Sequence, residues 1–191
     1  MRVEKLGGLV ARLHAHPRRR LTLLVGVDGP PGSGKTTLAA ALARLDPGIE
    51  QVEMDGFRVG LGETSDEEVA PGLDWRRLRN HVLLPLSRDV PGRYQPRHPE
   101  TRSLGLLREL QVGGIVVVEG RYAMIKQLAT FYDFRIWVDA PARVRRARLA
   151  ERDGAADGSY IAAQDPARAA HLRIDGSAAI DPATHYVRIH R

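Results

Sequence analysis

Residues 21–28 read Leu-Thr-Leu-Leu-Val-Gly-Val-Asp and feed directly into Gly29-Pro30-Pro31-Gly32-Ser33-Gly34-Lys35-Thr36-Thr37. No other stretch constrains the fold as strongly. A nearly continuous apolar run suits a parallel strand buried on both faces better than an alternating surface strand. Residues 38–45, Leu-Ala-Ala-Ala-Leu-Ala-Arg-Leu, then have high helix propensity. Strand, Gly29-x-x-x-x-Gly34-Lys35-Thr36 and helix, in that order, make a complete Walker A motif in its required context. Glycines let backbone N–H groups curl around phosphates, and the helix opening near Lys35 aims its positive end at them. Lys35 is expected at the β- and γ-phosphates and the Thr36 hydroxyl at Mg²⁺. Residues 29–37 are therefore the candidate nucleotide-binding loop, with Pro30, Pro31, Ser33 and Thr37 included.

The remaining pattern alternates strands with helices. Val3, Leu6, Leu9, Val10 and Leu13 fall at helical spacing, which predicts a helix over 2–15 ended by Pro17. Strands are expected over 49–54, 115–119, 134–138 and 186–189, and helices over 123–132, 142–152 and 164–172. Asp74 is the expected N-cap of a helix whose buried face is Trp75, Leu78, Val82, Leu83 and Leu86, with Pro85 kinking it. Three prolines within residues 91–99 exclude regular structure from 91–102. The alternation predicts an α/β fold with a mainly parallel sheet. The 191 residues are expected to form a single domain. Within it, an acceptor-binding insertion occupies about 56–112 and a lid about 142–162.

Composition removes several function classes. The chain has no cysteine, so a disulfide scaffold, a thiolate metal site and a cysteine nucleophile are all excluded. No apolar run is long enough to span a membrane, and the first residues lack a secretory pattern, so a cytoplasmic location is the expectation. The net charge is +6, and only three of the 29 basic residues are lysines, which leaves 26 arginines. Arginine favours planar contact with phosphate or carboxylate, although such a count also follows from biased base composition. Aromatic residues are 5% of the chain and no aromatic–basic stacking motif is present, which argues against a nucleic-acid partner.

The Walker loop binds a nucleoside triphosphate without saying what becomes of it. A switch-type GTPase needs an Asn-Lys-x-Asp motif, and the single asparagine, Asn80, is not in one. Ring-forming ATPases commonly end a strand in Asp-Glu, whereas the candidate strand here ends Glu119-Gly120. A small-molecule kinase survives best. Asp55 ends the second strand, at the edge of an open α/β sheet where ligands bind. There it can accept a proton from an attacking hydroxyl or help position the metal. Glu119 is placed to serve metal or acceptor. Arg145, Arg148 and Arg152 share one face of the basic helix, ahead of a Gly-containing loop at 154–158, which is the layout of a lid supplying charge to phosphoryl transfer. Tyr94, Arg97, His98 and Arg102 lie on the irregular loop suited to acceptor recognition. Residues 18–20, three arginines, read as flanking charge.

The succession of the Walker loop, Met54-Asp55-Gly56-Phe57-Arg58, Val116-Val117-Val118-Glu119-Gly120 and the basic helix ending Arg152-Asp153 resembles the uridine kinase, phosphoribulokinase and pantothenate kinase family of P-loop kinases. The resemblance covers roughly residues 20–175 and implies a P-loop NTPase-type three-layer sandwich on a mainly parallel five-stranded sheet. It implies ATP- and Mg²⁺-dependent phosphorylation of a hydroxyl on a small metabolite, in a protein whose relatives are often homo-oligomers. Asp55 matches the catalytic base, Glu119 the acidic residue near metal and acceptor, and Arg145, Arg148 and Arg152 the lid arginines. Arg58 stands where relatives often carry histidine or tyrosine near the acceptor. Uridine kinases usually show Tyr-Asp in the middle segment, where this chain has Tyr94-Gln95. Three alternatives stay open: a nucleoside monophosphate kinase holding its acceptor through Arg58, Arg97 or Arg102, a nucleotide-dependent nucleic-acid-binding protein, and a regulatory module that binds ATP without acceptor chemistry.

Overall fold

The computed structural model describes residues 2–66, 68–149, 159–177 and 186–190. In chain order the regular elements begin with β1 (Arg2–Lys5), α1 (Leu6–Ala15), β2 (Leu23–Asp28), α2 (Lys35–Leu45) and β3 (Ile49–Glu53). A 3-10 turn over Met54–Phe57 follows, then α3 (Trp75–Leu78), a π-type turn over Arg79–Leu83, α4 (Leu84–Leu86), β4 (Gly92–Tyr94) and β5 (Arg108–Leu110). The chain continues with β6 (Ile115–Glu119), α5 (Lys126–Ala129), β7 (Phe134–Asp139) and α6 (Ala142–Leu149). The last described elements are α7 (Ser159–Gln164), α8 (Pro166–Ala169), β8 (Leu172–Asp175) and β9 (Tyr186–His190).

Seven strands form the main sheet in the order β1-β9-β8-β7-β2-β6-β3. The five from β8 to β3 are parallel, as the apolar runs at 23–27 and 115–118 require when both faces are covered. Strands β9 and β1 extend that core antiparallel at one edge. On one face α1 and α2 pack Leu6, Leu9, Leu13, Leu38 and Leu42 against Val25, Val27, Val117 and Ile136. The other face buries Met54, Phe57, Trp75, Leu78, Val82, Tyr122 and Tyr160 against Leu24, Val116 and Val118. Burial of each such side chain contributes about 1.5–3 kcal/mol. The result is the three-layer sandwich expected.

The structure corrects five local expectations. Residues 2–5 are a strand, because β9 supplies a partner far away in sequence, and α1 starts only at Leu6. The expected helix over 123–132 shrinks to α5: Tyr122 has φ 70° before it, and Tyr132 and Phe134 must turn back onto the sheet, where Asp133 N–H donates to the Leu24 carbonyl at 2.8 Å. The Pro-containing segment 91–102 holds β4, whose partner β5 lies beyond the prolines. Residues 164–172 divide into the end of α7, α8 and the start of β8, since Asp165 takes φ 41° and caps α8 from its side chain. Arg19 and Arg20 are not simple flanking charge: both donate to the buried Asp133 carboxylate, at 2.8 and 3.2 Å, and join the starts of β2 and β7.

Other local readings hold. Asp74 Oδ1 accepts from Arg77 N–H at 2.9 Å, and the face from Trp75 to Leu86 is buried. Ahead of Pro85 the helix widens into the π-type turn, a recognised cause of helix distortion. Residues 154–158 and Arg152 lie outside the described residues.

Candidate active site

The phosphate-binding loop sits at the carboxyl end of β2, the central strand from which the chain crosses to β3 on one side and later to β7 on the other. That is the crevice where open α/β sheets bind ligands. Gly32 and Gly34 have φ 75° and 100°, values that favour glycine. A methyl group on Gly29 would lie 1.9 Å from the Val138 carbonyl oxygen, so the loop turns hard against β7. Helix α2 opens at Lys35 with its first-turn N–H groups directed into the loop, the usual condition for anion binding there. Among the described residues Ser33 Oγ is buried with no hydrogen-bond partner, an orphan donor suited to a phosphate oxygen.

The Lys35 ammonium is buried and donates to the Pro30 carbonyl at 3.1 Å. Burial pulls its pKa down, and attraction to Asp28, Glu119 and Asp55 opposes that shift. Thr36 Oγ1 donates to Glu119 Oε2 at 3.1 Å, and Gln51 Nε2 donates to Glu119 Oε1 at 3.4 Å. Glu119 is almost fully buried at the end of β6, and that burial pushes its pKa up to about 7 against the pull of Lys35 and the Thr36 hydrogen bond. Glu53 and Asp55 raise it further.

Asp55 lies on the 3-10 turn after β3, with two thirds of its side chain exposed (67%), and Arg58 Nη2 donates to its Oδ1 at 2.7 Å. The Val-Glu-Gly and Met-Asp-Gly-Phe segments touch: a Cβ on Gly120 would lie 2.6 Å from Met54 Cβ. Gly56 meets Pro96 in the same way at 3.0 Å, and Arg97 N–H donates to the Gly56 carbonyl at 2.8 Å. The glycines following Asp55 and Glu119 thus permit the close approach that gathers Lys35, Thr36, Asp55 and Glu119.

The other expected site residues are placed as follows. Tyr94 is buried, stacked on Phe57 with ring centroids 5.1 Å apart, and so packs beneath the Asp55 turn. His98 is exposed, and its Nδ1 accepts from the N–H groups of Glu100 and Thr101, which closes a local turn. The Arg102 carbonyl accepts from Arg97 Nη1 at 2.9 Å. Arg145 donates through Nε to the Ala140 carbonyl at 2.9 Å, and its backbone lies against Gly32. Arg148 Nη1 donates to the carbonyls of Gly32 and Gly176 at 3.1 and 2.8 Å, clamping the phosphate loop to the segment after β8.

Sequence reasoning missed Asp28, Gln51, Arg77 and Tyr160. Asp28 is fully buried and accepts from Gly29 N–H, Met124 N–H and the Tyr160 hydroxyl at 2.6, 2.9 and 2.7 Å. Its place at the last position of β2 was the available signal. Arg77 donates to the Gln95 and Gly56 carbonyls and covers the Phe57 ring, fixing the Asp55 turn from outside.

The donor set fits Mg²⁺ held with nucleotide phosphates. Thr36 gives its proton to Glu119 and leaves its lone pairs for a cation, and Glu119 and Asp55 are the nearby carboxylates. Among the described residues no three acidic or histidine side chains form a protein-only cage. Mg²⁺ commonly binds through one or two protein oxygens plus substrate phosphates. No helix among the described residues is long and apolar enough to cross a membrane.

Residues 25–165 match the family model described as AAA domain, AAA_18, from within β2 to the end of α7. The cytidylate kinase of Pyrococcus horikoshii is 32% identical over 136 residues, which cover 69% of this chain and 58% of that protein. An uncharacterized protein of Escherichia coli, YggC, is 28% identical over 162 residues, 75% of this chain and 66% of its own length. The chain thus spans under two thirds of the curated relatives it matches. In structure it is similar to a possible uridine kinase from Bacillus stearothermophilus, with TM-score 0.68, 21% identity, and 88% and 96% of the two chains covered. A candidate fructose transport system kinase from Silicibacter superposes with TM-score 0.61 at 22% identity, covering 86% and 89%. These likenesses carry the fold, and the family model carries membership: the chain belongs to the AAA_18 family, described as an AAA domain.

Proposed function

We propose that the protein transfers the γ-phosphate of ATP to a hydroxyl group of a small metabolite. The observation that carries this reading is Asp55, a carboxylate that is largely exposed at the site mouth yet close enough to influence both Lys35 and Glu119. A hydroxyl acceptor needs a group to orient it and take its proton, whereas a phosphate acceptor does not. The loop amides and Lys35 bind the β- and γ-phosphates. Thr36, with Glu119 in support, would hold Mg²⁺, which would supply positive charge at the phosphate oxygens. Asp55 is freed from Arg58 to receive the acceptor proton, and Arg58 then faces the acceptor. Arg145 and Arg148 hold the loop in shape through their bonds to the Ala140, Gly32 and Gly176 carbonyls. Catalysis is positioning and electrostatics throughout.

A second reading, phosphorylation of a nucleoside monophosphate, is favoured by one finding, the 32% identity to a cytidylate kinase. The test for both is ADP release from ATP and Mg²⁺ against nucleosides, hydroxy acids, sugar phosphates and nucleoside monophosphates. Under the first reading, Asp55→Asn lowers kcat on a hydroxyl acceptor by roughly 10²–10⁴-fold while ATP binding stays near wild type. Turnover of a monophosphate that survives Asp55→Asn supports the second reading, and equal loss of transfer and ATP binding removes the base assignment.

A further inference from the structure

Asp28 and Tyr160 lie outside the phosphate loop and the acceptor machinery, yet they meet under the loop. Asp28 Oδ1 accepts from Gly29 N–H at 2.6 Å, and its Oδ2 accepts from Met124 N–H at 2.9 Å and from Tyr160 at 2.7 Å. Both residues are buried. Burial pushes the Asp28 pKa up, and the three donors and the Lys35 charge oppose that rise. Two of these donors are backbone groups of the chain leaving β2 and the chain after β6, and the third comes from α7, more than a hundred residues later. The nearby cation is Lys35, for which Asp28 is the leading attraction. Tyr132 and Tyr122 complete the surroundings: Tyr132 packs its ring on Gly26, and Tyr122 lies 5.0 Å from the Tyr160 ring.

From this juxtaposition we infer that Tyr160 and Asp28 are positioning residues for the triphosphate. The Tyr160 hydroxyl holds the Asp28 carboxylate in the orientation that fixes the Gly29 amide at the start of the phosphate loop. The Gly29 turn is tightly bounded, with the Asp28 carboxylate on its amide and the Val138 carbonyl against its Cα. A small rotation of Asp28 therefore moves the first residue of the loop. Their hydrogen bonds go to Gly29, Met124 and each other, so the effect is expected to fall on the nucleotide. The inference rests on the phosphate-loop reading above and is independent of the acceptor.

The probe is ADP with Mg²⁺, titrated calorimetrically into the full chain, alongside KM for ATP and thermal melting. Tyr160→Phe keeps the ring and removes only the hydroxyl. It is expected to weaken ADP binding and raise KM for ATP by about ten-fold, with kcat at saturating ATP and KM for the acceptor within about two-fold of wild type. Asp28→Asn keeps the shape but leaves one oxygen to serve three donors, and is expected to weaken ADP binding more than Tyr160→Phe. Lys35→Ala separates the two levels of argument. If Lys35→Ala weakens ADP binding and Tyr160→Phe and Asp28→Asn only lower the melting temperature, the pair is structural and the inference is overturned. If Lys35→Ala leaves ADP binding unchanged, the phosphate-loop reading fails and takes the inference with it.

Discussion

Glu119→Gln isolates the energetic cost of placing a carboxylate at the end of β6. The glutamine keeps an oxygen to accept from Thr36 and fills the same volume. In the folded chain Glu119 titrates near 7, against 4.5 for a free glutamate, because it is buried. The folded state therefore binds its proton more tightly than the unfolded state between those values. Stability of the wild type must fall as pH rises from about 4.5 to about 7, and the loss is complete above that range. A displacement of this size corresponds to about 3 kcal/mol, at 1.36 kcal/mol per pH unit. Glu119→Gln is thus expected to be more stable than wild type by up to about 3 kcal/mol at pH 8, and by under about 0.5 kcal/mol at pH 4. Urea unfolding without nucleotide, at both pH values, reads the difference as a change in midpoint at constant slope. An equal difference at pH 4 and pH 8, or a wild-type midpoint flat across that window, refutes the burial argument. Phosphoryl transfer by the variant should fall at every pH, the usual trade of stability against function at such sites.

Two further outcomes test the frame of the site. Gly29→Ala places a methyl group 1.9 Å from the Val138 carbonyl, so nucleotide binding should be lost while the far-UV circular dichroism of the sheet is largely kept; wild-type ADP affinity would show that the loop can relax. Asp133→Ala strands Arg20 and the Leu24 amide, and chemical denaturation should show a loss of about 3–5 kcal/mol, with under about 1 kcal/mol contradicting a buried structural role.

The site was legible in sequence where its chemistry is local. Residues 29–37 need only their own backbone and α2 to form the loop, and the 3-10 turn that carries Asp55 follows β3 directly. Glu119 was visible as the carboxylate closing the apolar run 115–118. Tyr94, by contrast, sat on an irregular segment that suggested acceptor recognition, and only packing against Phe57 showed its ring beneath the Asp55 turn. Arg148 carried the pattern of a lid residue, yet its guanidinium is spent on the Gly32 and Gly176 carbonyls, a contact that exists only once α6 and β8 are placed. Arg20 looked like flanking charge until β7 brought Asp133 beside it.

By itself, then, the sequence determined the elements whose period and caps are local: the buried parallel strands, the phosphate loop, helix α2, and the Asp74 cap. Those features depend on residues a few positions apart, where sterics and backbone hydrogen bonding suffice. The tertiary structure alone decided that residues 2–5 form a strand, that β4 finds β5 across the prolines, and that Asp28 meets Tyr160. Each of these requires a partner distant in sequence, and the free energy that selects it comes from burial and hydrogen bonding available only after the chain has collapsed.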